Sequence, residues 1–332
     1  MEFKVKYLIT GATGFIGPHL IKKLIGDNHT CRCLVRNSSN TESLKALGVE
    51  LVEGDITRAE TLKGIADDID TVLHLATLGH MSNFTVTESM FQAINVDGAL
   101  NVMLEALRAG VPKVVHCSTV AAMGICSDVP ADETSGCNPH HPYGRSKLKA
   151  EQSIKKLVAE EGLPAAIVRF SMVYGPGDPR DILKLTRLTK KGLFPKIGNK
   201  PKLTPLIHVD DAVKGLLLAA EKGRIGEVYL LTNPESLPFD DIRKILQQAL
   251  AIKRFPLYVP EWAALTVASL SEKIFPAIGK TPPVSRKNIE STLADRVFSI
   301  EKAKKELGFH PQVNPEIGLR ETVEWYKEKG WV

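Results

Sequence analysis

Short β-branched runs alternate with longer helical segments along the first half of the chain. The strand candidates are VKYLIT, CRCLV, VELVEG, TVLHLA, KVVHCS and PAAIVRF, beginning at residues 5, 31, 49, 71, 113 and 164. Helix candidates start near Phe15, Thr41, Arg58, Val86 and Tyr143. Strands that are apolar on both faces and separated by helices indicate a parallel sheet covered on both sides, with right-handed crossovers. The sequence therefore predicts a doubly wound α/β fold.

The pattern changes after about Gly175. A basic stretch rich in glycine and proline comes next, then LIHVDDAVKGLLLAAE, the strand candidate EVYLLTN and several helices. We interpret residues 1–174 as the main sheet domain, to which the chain returns near 206–232. Residues 175–332 are interpreted as a smaller, mostly helical lobe that meets the substrate.

Charge and cysteine usage exclude several classes of protein. The excess of lysine and arginine over aspartate and glutamate is 43 − 38 = +5, which is too small to indicate a nucleic-acid-binding surface. Five cysteines fit a reducing compartment better than a disulfide framework. No signal-peptide pattern opens the chain, so we expect a cytoplasmic protein. The apolar window 257–279 contains Glu261, Glu272 and Lys273 and is too interrupted to span a bilayer.

Cys137, His140 and His141 form the one grouping of thiol and imidazole side chains that suggests a metal. No second ligand group follows at a zinc-like spacing. We interpret these residues as a free thiol and a polar loop, and we predict no metal site.

The segment TGATGFIG follows the first strand candidate and opens the first helix. Glycines at positions 11, 14 and 17 let the backbone turn tightly and approach a pyrophosphate, whose charge then lies at the helix amino terminus. The glycine spacing alone is weak evidence for a dinucleotide-binding loop, and the alternative is a turn with only a structural role. Its place between the first strand and the first helix of the alternating pattern favours a Rossmann-type dinucleotide site.

The second strand ends in LVRN, which places Arg36 where an NAD-preferring fold usually has an acid that binds the ribose 2′-hydroxyl. A guanidinium pairs well with a 2′-phosphate, so Arg36 favours NADP over NAD. The alternative is a solvated arginine beside a site that takes NAD.

Tyr143 and Lys147 lie four residues apart in HPYGRSKLKAEQ and would share one face of a helix. A nearby ammonium favours the phenolate, and the pair could then act as a general acid and base. Many solvated helices carry such a pair, so the spacing alone does not identify a site. The strand that ends in Ser118 and Thr119 adds a hydroxyl at the sheet edge where this class of fold binds ligands.

At this point the chain resembles the extended short-chain dehydrogenase/reductases, which include NAD-dependent epimerases and dehydratases and the 3β-hydroxysteroid dehydrogenase-like proteins. The resemblance covers nearly the whole chain. Beyond TGATGFIG and YGRSK, it is carried by GDIT at 54–57, HLAT at 74–77, NVDGALNV at 95–102, STVAAMG at 118–124, RFSMVYGPGD at 169–178, LIHVDDAV at 206–213 and KAKKELGFHP at 302–311.

The resemblance implies a role for each matching residue. Thr119 would be the catalytic hydroxyl, with Ser118 as the neighbour to test next, Tyr143 would transfer the proton, and Lys147 would also hold the nicotinamide ribose. The resemblance also implies that Asp55 and Ile56 lie at the adenine, that Leu75, Ala76 and Thr77 border the cofactor, that Asn95 supports the site, and that Phe170, Met172 and Val173 border the nicotinamide. With these, the predicted cofactor-binding residues are Gly11, Gly14, Phe15, Ile16 and Gly17 of the glycine loop, Arg36, Tyr143 and Lys147.

Two classes of enzyme share this machinery: reductases with a net hydride transfer, and nucleotide-sugar epimerases or dehydratases. Many sugar-nucleotide members place an arginine and an acid shortly before the IHVDD strand, where this chain has Thr204 and Pro205. The loss of that phosphate contact argues against a nucleotide sugar. A run of basic residues leaves an anionic substrate open, although a solvated face is the commoner explanation; its members are Lys184, Arg187, Lys190, Lys191, Lys196, Lys200 and Lys202.

The apolar segment EWAALTVASL is similar to the corresponding part of steroid- and lipid-directed members, and would either line a cleft for an apolar substrate or belong to the core. We therefore predict an NAD(P)-dependent oxidoreductase that interconverts a secondary alcohol and a ketone on an apolar or sterol-like substrate. A nucleotide-sugar 4-epimerase or dehydratase is the alternative enzyme, and a non-catalytic cofactor-sensing protein is the alternative from another class. The resemblance also suggests a homodimer packed through helices near 86–109 and 143–160.

Overall fold

The structure is a computed structural model that describes residues 4–79, 86–126, 128–253, 255, 257–278, 282 and 286–332. Its strands are β1 (Lys6–Thr10), β2 (Thr30–Val35), β3 (Glu50–Glu53), β4 (Thr71–His74), β5 (Lys113–Thr119), β6 (Ala165–Phe170), β7 (Met172–Tyr174), β8 (Lys196–Ile197), β9 (Leu203–Thr204), β10 (Leu206–His208), β11 (Val228–Leu231), β12 (Leu237–Pro238) and β13 (Tyr258–Val259).

The helices are α1 (Ile16–Gly26), α2 (Glu42–Lys45), α3 (Glu88–Phe91), α4 (Gly98–Arg108), α5 (Pro142–Glu161), α6 (Asp181–Lys191), α7 (Val209–Lys222), α8 (Phe239–Ala249), α9 (Glu261–Ala277), α10 (Arg286–Leu293), α11 (Glu301–Leu307) and α12 (Pro315–Glu328). A π-helical stretch, Gln92–Asp97, joins α3 to α4. The helix predicted near Arg58 is only a short 3-10 turn, Ala59–Leu62.

Seven parallel strands form the central sheet in the order β11-β6-β5-β4-β1-β2-β3. All six predicted strands belong to it, and the predicted doubly wound α/β fold is confirmed. Neighbouring residues of one strand enter different cores: Leu8 packs on the side of α4 and α5, whereas Ile9 packs on the side of α1 and α7. This alternation explains why the strands are apolar on both faces.

The chain returns to the sheet late. Strand β11 pairs with β6 at the edge of the central sheet, whereas β10 pairs with β7 in a separate two-stranded ladder. A third apolar core lies under α6, α8 and α12 and includes Tyr174 and Tyr326, both almost fully buried.

Helix α9 exposes much of its apolar surface. Trp262, Val267, Leu270 and Ile274 are 50–72% exposed, whereas the side chains that α9 buries are small, among them Ala264 and Ala268. The large side chains of this helix are therefore not part of a core. Within the predicted lobe at 175–332, residues 279–281 and 283–285 lie outside the described residues.

No helix in the described ranges is both long enough and apolar enough to cross a bilayer.

Candidate active site

The loop between β1 and α1 is shaped for close approach of an anion. Gly11 has φ +74°, and a Cβ added there would lie 2.6 Å from the backbone nitrogen of Ala76. A Cβ at Gly17 would lie 2.2 Å from the carbonyl oxygen of Ala12. Helix α1 has no side-chain cap and no acid in its first turn, so its amino-terminal N–H groups and dipole are left for a phosphate. These residues fit a dinucleotide cofactor.

The segment that follows β4 lies beside the glycine loop. The Ala76 N–H donates to Thr10 Oγ1 at 3.2 Å, and the Leu75 N–H donates to the Thr10 carbonyl at 3.1 Å. Phe15, Ile16 and Leu75 are partly buried against the sheet core. The Gly14 N–H closes the turn on the Gly11 carbonyl at 3.0 Å. The glycine loop and the Leu75–Thr77 segment therefore lie side by side, as the sequence predicts.

Arg36 and Asp55 lie near each other at the ends of β2 and β3. Arg36 is exposed, and its guanidinium forms no hydrogen bond or ion pair with any described residue. Hydrogen bonds from Thr57 hold the pKa of Asp55 below its usual value, with a smaller contribution from the charge of Arg36. The Ile56 carbonyl accepts a hydrogen bond from Asn101 at 2.8 Å. Arg36 is thus a cation available to a ligand at the predicted adenine end.

Asn95 connects the β4 loop to helix α5. Its Oδ1 accepts hydrogen bonds from Thr77 Oγ1 at 3.0 Å and the Leu78 N–H at 2.7 Å. Its Nδ2 donates to the Leu78 carbonyl at 3.1 Å and to Ser146 Oγ at 2.9 Å. Asn95 lies in the π-helical stretch, a distortion that is frequent at functional sites. Its position supports the predicted site from behind.

Tyr143 lies in the first turn of α5, and its N–H donates to His141 Nδ1 at 3.2 Å. Burial raises the pKa of Tyr143, while the charge of Arg180 and the nearby hydroxyls of Thr119 and Thr77 act in the opposite direction. The phenol therefore lies near both threonine side chains, although the Thr77 hydroxyl itself donates to Asn95. The net direction differs from the sequence-based expectation, because burial outweighs the opposing charges, of which Arg180 rather than Lys147 is the largest.

Lys147 lies one turn further along α5 and is only 1% exposed. Its Nζ donates to the Cys117 carbonyl at 2.7 Å and lies 3.2 Å from His116 Nε2. Burial lowers the pKa of Lys147 to about 8, although the negative charge of Glu151 raises it in part. The ammonium is thus directed toward strand β5, which explains why Arg180 is the cation that acts on Tyr143.

Ser118 faces away from the phenol. Its hydroxyl donates to the carboxylate of Glu151, which also forms an ion pair with Arg169 at 2.6 Å. Both partners of this ion pair are less than 5% exposed. Thr119, the last residue of β5, lies near Tyr143 in the first turn of α5, whereas Ser118 contacts Glu151 two turns further along the same helix.

Arg180 is a site residue that sequence reasoning missed. It donates to Asp178 Oδ1 at 2.8 Å and to the Val173 carbonyl at 3.0 Å, and its guanidinium carbon lies 5.0 Å from the centroid of the Phe15 ring. Arg180 therefore joins the glycine loop to the predicted nicotinamide wall. Its place two residues after RFSMVYGPGD was the available signal.

The residues predicted to border the nicotinamide lie at the end of β6 and in β7. Phe170 is paired in register with Thr119, and Phe170 and Val173 are buried, whereas Met172 is partly buried. The structure therefore brings Thr119, Tyr143 and the Phe170–Val173 segment to one edge of the sheet. Cys137, from the rejected metal grouping, accepts a hydrogen bond from Arg169 at 3.4 Å.

Comparison with known proteins agrees with this architecture. The profile of the NAD dependent epimerase/dehydratase family matches residues 7–231, more than half of the chain. The chain therefore belongs to this family. It is an NAD-dependent enzyme of the extended short-chain dehydrogenase/reductase type, in a family that contains both reductases and epimerases.

Curated relatives match along their whole length. A 4-hydroxy-2-methyl-3-oxo-4-farnesyl-3,4-dihydroquinoline-1-oxide ketoreductase from Stigmatella aurantiaca is 27% identical over 95% of this chain and 95% of its own. Sterol demethylase protein B from Methylococcus capsulatus is 28% identical over 98% of this chain and 99% of its own. Among solved structures, UDP-glucose 4-epimerase from Thermotoga maritima with UDP-glucose has a TM-score of 0.80 and 26% identity, covering 98% of this chain and 99% of that one.

Proposed function

We propose that the protein is a reductase that interconverts a ketone and a secondary alcohol on an apolar or sterol-like substrate, with NADP favoured over NAD. The observation that carries this proposal is the convergence of the buried Tyr143 phenol, the Thr119 hydroxyl at the end of β5 and the neighbouring Phe170 at the carboxyl edge of the sheet. A phenol close to a second hydroxyl can donate its proton to a substrate oxygen that lies between them.

The raised pKa of Tyr143 suits the direction of reduction. Tyr143 stays protonated at neutral pH and can therefore act as the acid that protonates the developing alkoxide. Thr119 would donate a hydrogen bond to the same oxygen and orient the carbonyl. When bound, the nicotinamide would supply or accept the hydride. In oxidation Tyr143 must lose its proton first, and the charge of Arg180 lowers the free energy of that ionisation.

Lys147 would hold the cofactor rather than ionise Tyr143 directly. An ammonium has three N–H donors, and two of them already bind the Cys117 carbonyl and His116. The third is available to the ribose hydroxyls of a nicotinamide nucleotide. Asn95 supports this arrangement through Ser146, which in turn donates to the Tyr143 carbonyl at 2.8 Å.

Three observations support the substrate and cofactor classes. The names of the two curated relatives refer to a farnesylated ketone and to a sterol. Thr204 and Pro205 stand where many sugar-nucleotide members have an arginine and an acid. The guanidinium of Arg36, which has no hydrogen-bond or ion-pair partner among the described residues, is suited to a 2′-phosphate.

The organisation of the chain follows from the same proposal. Residues 1–174, together with the return at 206–232, would bind the cofactor, and residues 175–332 would bind the substrate. A homodimer packed through segments 86–109 and 143–160 and a cytoplasmic location complete the proposal.

An absorbance assay tests the reductase proposal. The protein is mixed with reduced NADP or NAD and a panel of sterol ketones, prenylated ketones and short aliphatic ketones, and loss of the reduced nicotinamide is followed. We expect stoichiometric oxidation of the cofactor with at least one apolar ketone, faster with NADPH. Sugar-nucleotide conversion without net change of the cofactor, and no reaction with any ketone, would contradict the proposal.

The alternative is a nucleotide-sugar 4-epimerase or dehydratase, and one observation favours it. Arg296 lies beside β9, where its N–H donates to the Leu203 carbonyl at 3.2 Å, and its Nε is buried without a hydrogen-bond partner among the described residues. This arginine could replace the missing phosphate contact. Binding of UDP-glucose that is lost in Arg296→Met, while NADPH binding is retained, would support the alternative.

A further inference from the structure

A column of buried polar side chains runs beneath the predicted site, from β1 through β4 and β5 to α5. Thr10 Oγ1 lies 2.7 Å from His74 Nδ1, and Lys147 Nζ lies 3.2 Å from His116 Nε2. All four side chains are at most 1% exposed. Burial of this many polar groups is costly unless they are paired, so the column needs an explanation beyond packing.

The two histidines connect the halves of this column. His74 and His116 are paired in register on neighbouring parallel strands, so their side chains leave the same face of the sheet. Their rings stack with centroids 5.3 Å apart and planes 19° apart. Each ring keeps one buried nitrogen without a hydrogen-bond partner in the described part of the chain, Nε2 in His74 and Nδ1 in His116.

The chemistry of Lys147 fixes the state of His116. A protonated lysine only donates hydrogen bonds, so the Nε2 atom of His116 must accept and the ring proton must lie on Nδ1. A charged His116 would place two cations in contact. Burial, together with the charges of Lys147 and His74, holds the pKa of His116 well below its usual value, so the ring is neutral at neutral pH.

Several other groups face Lys147. The Cys117 carbonyl on β5 accepts its second hydrogen bond, and His74 on β4 lies behind His116. On α5, Tyr143 and Glu151 lie one turn before and one turn after it. The carboxylate of Glu151 is already paired with Arg169 on β6. His116 is therefore the one neutral side chain among these groups that accepts directly from the ammonium.

We propose that His116 is a positioning residue, whose neutral ring accepts a hydrogen bond from Lys147 and directs the remaining N–H of the ammonium to the cofactor cleft. The inference deepens the proposed function, because it assumes that Lys147 binds the cofactor. His116 itself touches neither cofactor nor substrate in this scheme and acts only through Lys147.

The pH dependence of NADPH binding tests this role. Cofactor fluorescence gives the dissociation constant between pH 6 and 10 for the wild type, His116→Phe and His116→Gln. The affinity of the wild type should fall as Lys147 loses its proton near its pKa of about 8. His116→Phe removes the acceptor but keeps a ring, and should move this half-point to lower pH by about one unit. His116→Gln keeps an acceptor and should move it by less than half as much.

His29→Phe is the matched control. His29 accepts a hydrogen bond from the Val5 N–H at 3.2 Å and packs against Tyr7, at the amino-terminal ends of the strands and away from the predicted site. The same exchange there should leave the half-point in place, whatever its effect on stability. A half-point in His116→Phe within about 0.2 pH units of the wild type would overturn the proposal.

If His116→Phe does not fold, a measurement on the wild type still tests the proposal. Nitrogen-15 spectra of the histidine rings, with His116 assigned from the signal lost in His116→Gln, should show a proton on Nδ1 only, unchanged between pH 5 and 7, where Lys147 is protonated. A charged ring or a proton on Nε2 would overturn the proposal. If no ketone is reduced but the half-point of NADPH binding in His116→Phe moves to lower pH as expected, the reductase function is wrong and the role of His116 is supported.

Discussion

The buried face of helix α5 and the exposed face of helix α9 are opposites. On α5, Tyr143, Lys147 and Glu151 follow one another at four-residue spacing; Lys147 and Glu151 form hydrogen bonds with β5, and the Tyr143 phenol lies near Thr119 at the end of that strand. On α9, Trp262 and Leu270 are at least half exposed. The first face fixes the side chains of the proposed site among buried partners, and the second leaves apolar surface uncovered. Under the proposed function, the reacting groups are held rigidly, whereas substrate specificity would reside in a less constrained lobe.

The largest effect is expected from Tyr143→Phe. Loss of the proton donor should lower kcat for ketone reduction by about 10²–10⁴-fold, because general acid catalysis contributes that much. The dissociation constant of NADPH, measured by fluorescence, should change little since the ring remains. A variant that keeps more than half of the wild-type rate would break the assignment of chemistry to α5.

Glu151→Ala tests the rigidity of the same face. The carboxylate is 2% exposed and pairs with Arg169, so its removal leaves a buried guanidinium uncompensated and should destabilise the fold by about 3–5 kcal/mol. Glu160 on the same helix pairs with Lys156 at 3.8 Å on the surface, and Glu160→Ala should cost about 0.5 kcal/mol or less. Urea unfolding measures both. Equal losses of unfolding free energy in Glu151→Ala and Glu160→Ala would contradict the idea that the buried face of α5 is more tightly held than its solvated face.

The pH dependence of stability sharpens the account of Lys147. Its pKa of about 8 in the fold lies below the ordinary 10.5, so between these values the unfolded chain binds a proton that the folded chain does not. Stability from this residue therefore rises with pH across that window, by up to about 3 kcal/mol. The difference in unfolding free energy between the wild type and Lys147→Met should change by this amount from pH 8 to 10.5. A pH-independent difference would show an unperturbed lysine.

Arg36→Met should weaken NADPH binding about tenfold while NADH binding changes little, since only NADPH carries the 2′-phosphate. Lys22→Met, which removes an exposed cation from α1, is the control for net charge. Fluorescence titration measures all four dissociation constants. Equal weakening for both cofactors, or none, would show that Arg36 does not distinguish NADP from NAD.

The smallest effect is expected from Lys190→Gln combined with Lys191→Gln. Both lysines are exposed on α6, so the free energy of unfolding should change by less than about 0.5 kcal/mol, and KM for an apolar ketone should stay the same. A rise in KM confined to anionic substrates would instead assign the basic face of the lobe to substrate binding.

The same contrast separates what the sequence predicted from what it did not. The positions of Tyr143, Lys147 and Thr119 could be predicted, because helical spacing and the order of parallel strands bring them to one edge. The contact between Lys147 and His116 could not, since it depends on how α5 packs across β5. The pKa of Tyr143 is raised, whereas the sequence predicted that it would be lowered. The direction depends on the balance between burial and several charges, and the spacing of two residues along a helix does not determine that balance.

The substrate lobe was harder to predict for a related reason. An apolar helix such as α9 has the same sequence pattern whether it lies against a core, a cleft or solvent, and its exposure depends on contacts far along the chain. Arg180 was missed because it follows an irregular loop rather than a periodic element. Its contacts with Val173 and with the ring of Phe15 exist only in the folded chain.

Transfer of deuterium tests the central claim most directly. NADPH that carries deuterium at the transferable position is incubated with the protein and an apolar ketone, and the products are analysed by mass spectrometry. The account predicts an alcohol with one deuterium at the carbinol carbon and an equal amount of oxidised cofactor, both abolished by Tyr143→Phe. Conversion of a nucleotide sugar without net oxidation of the cofactor, and no labelled alcohol, would contradict it.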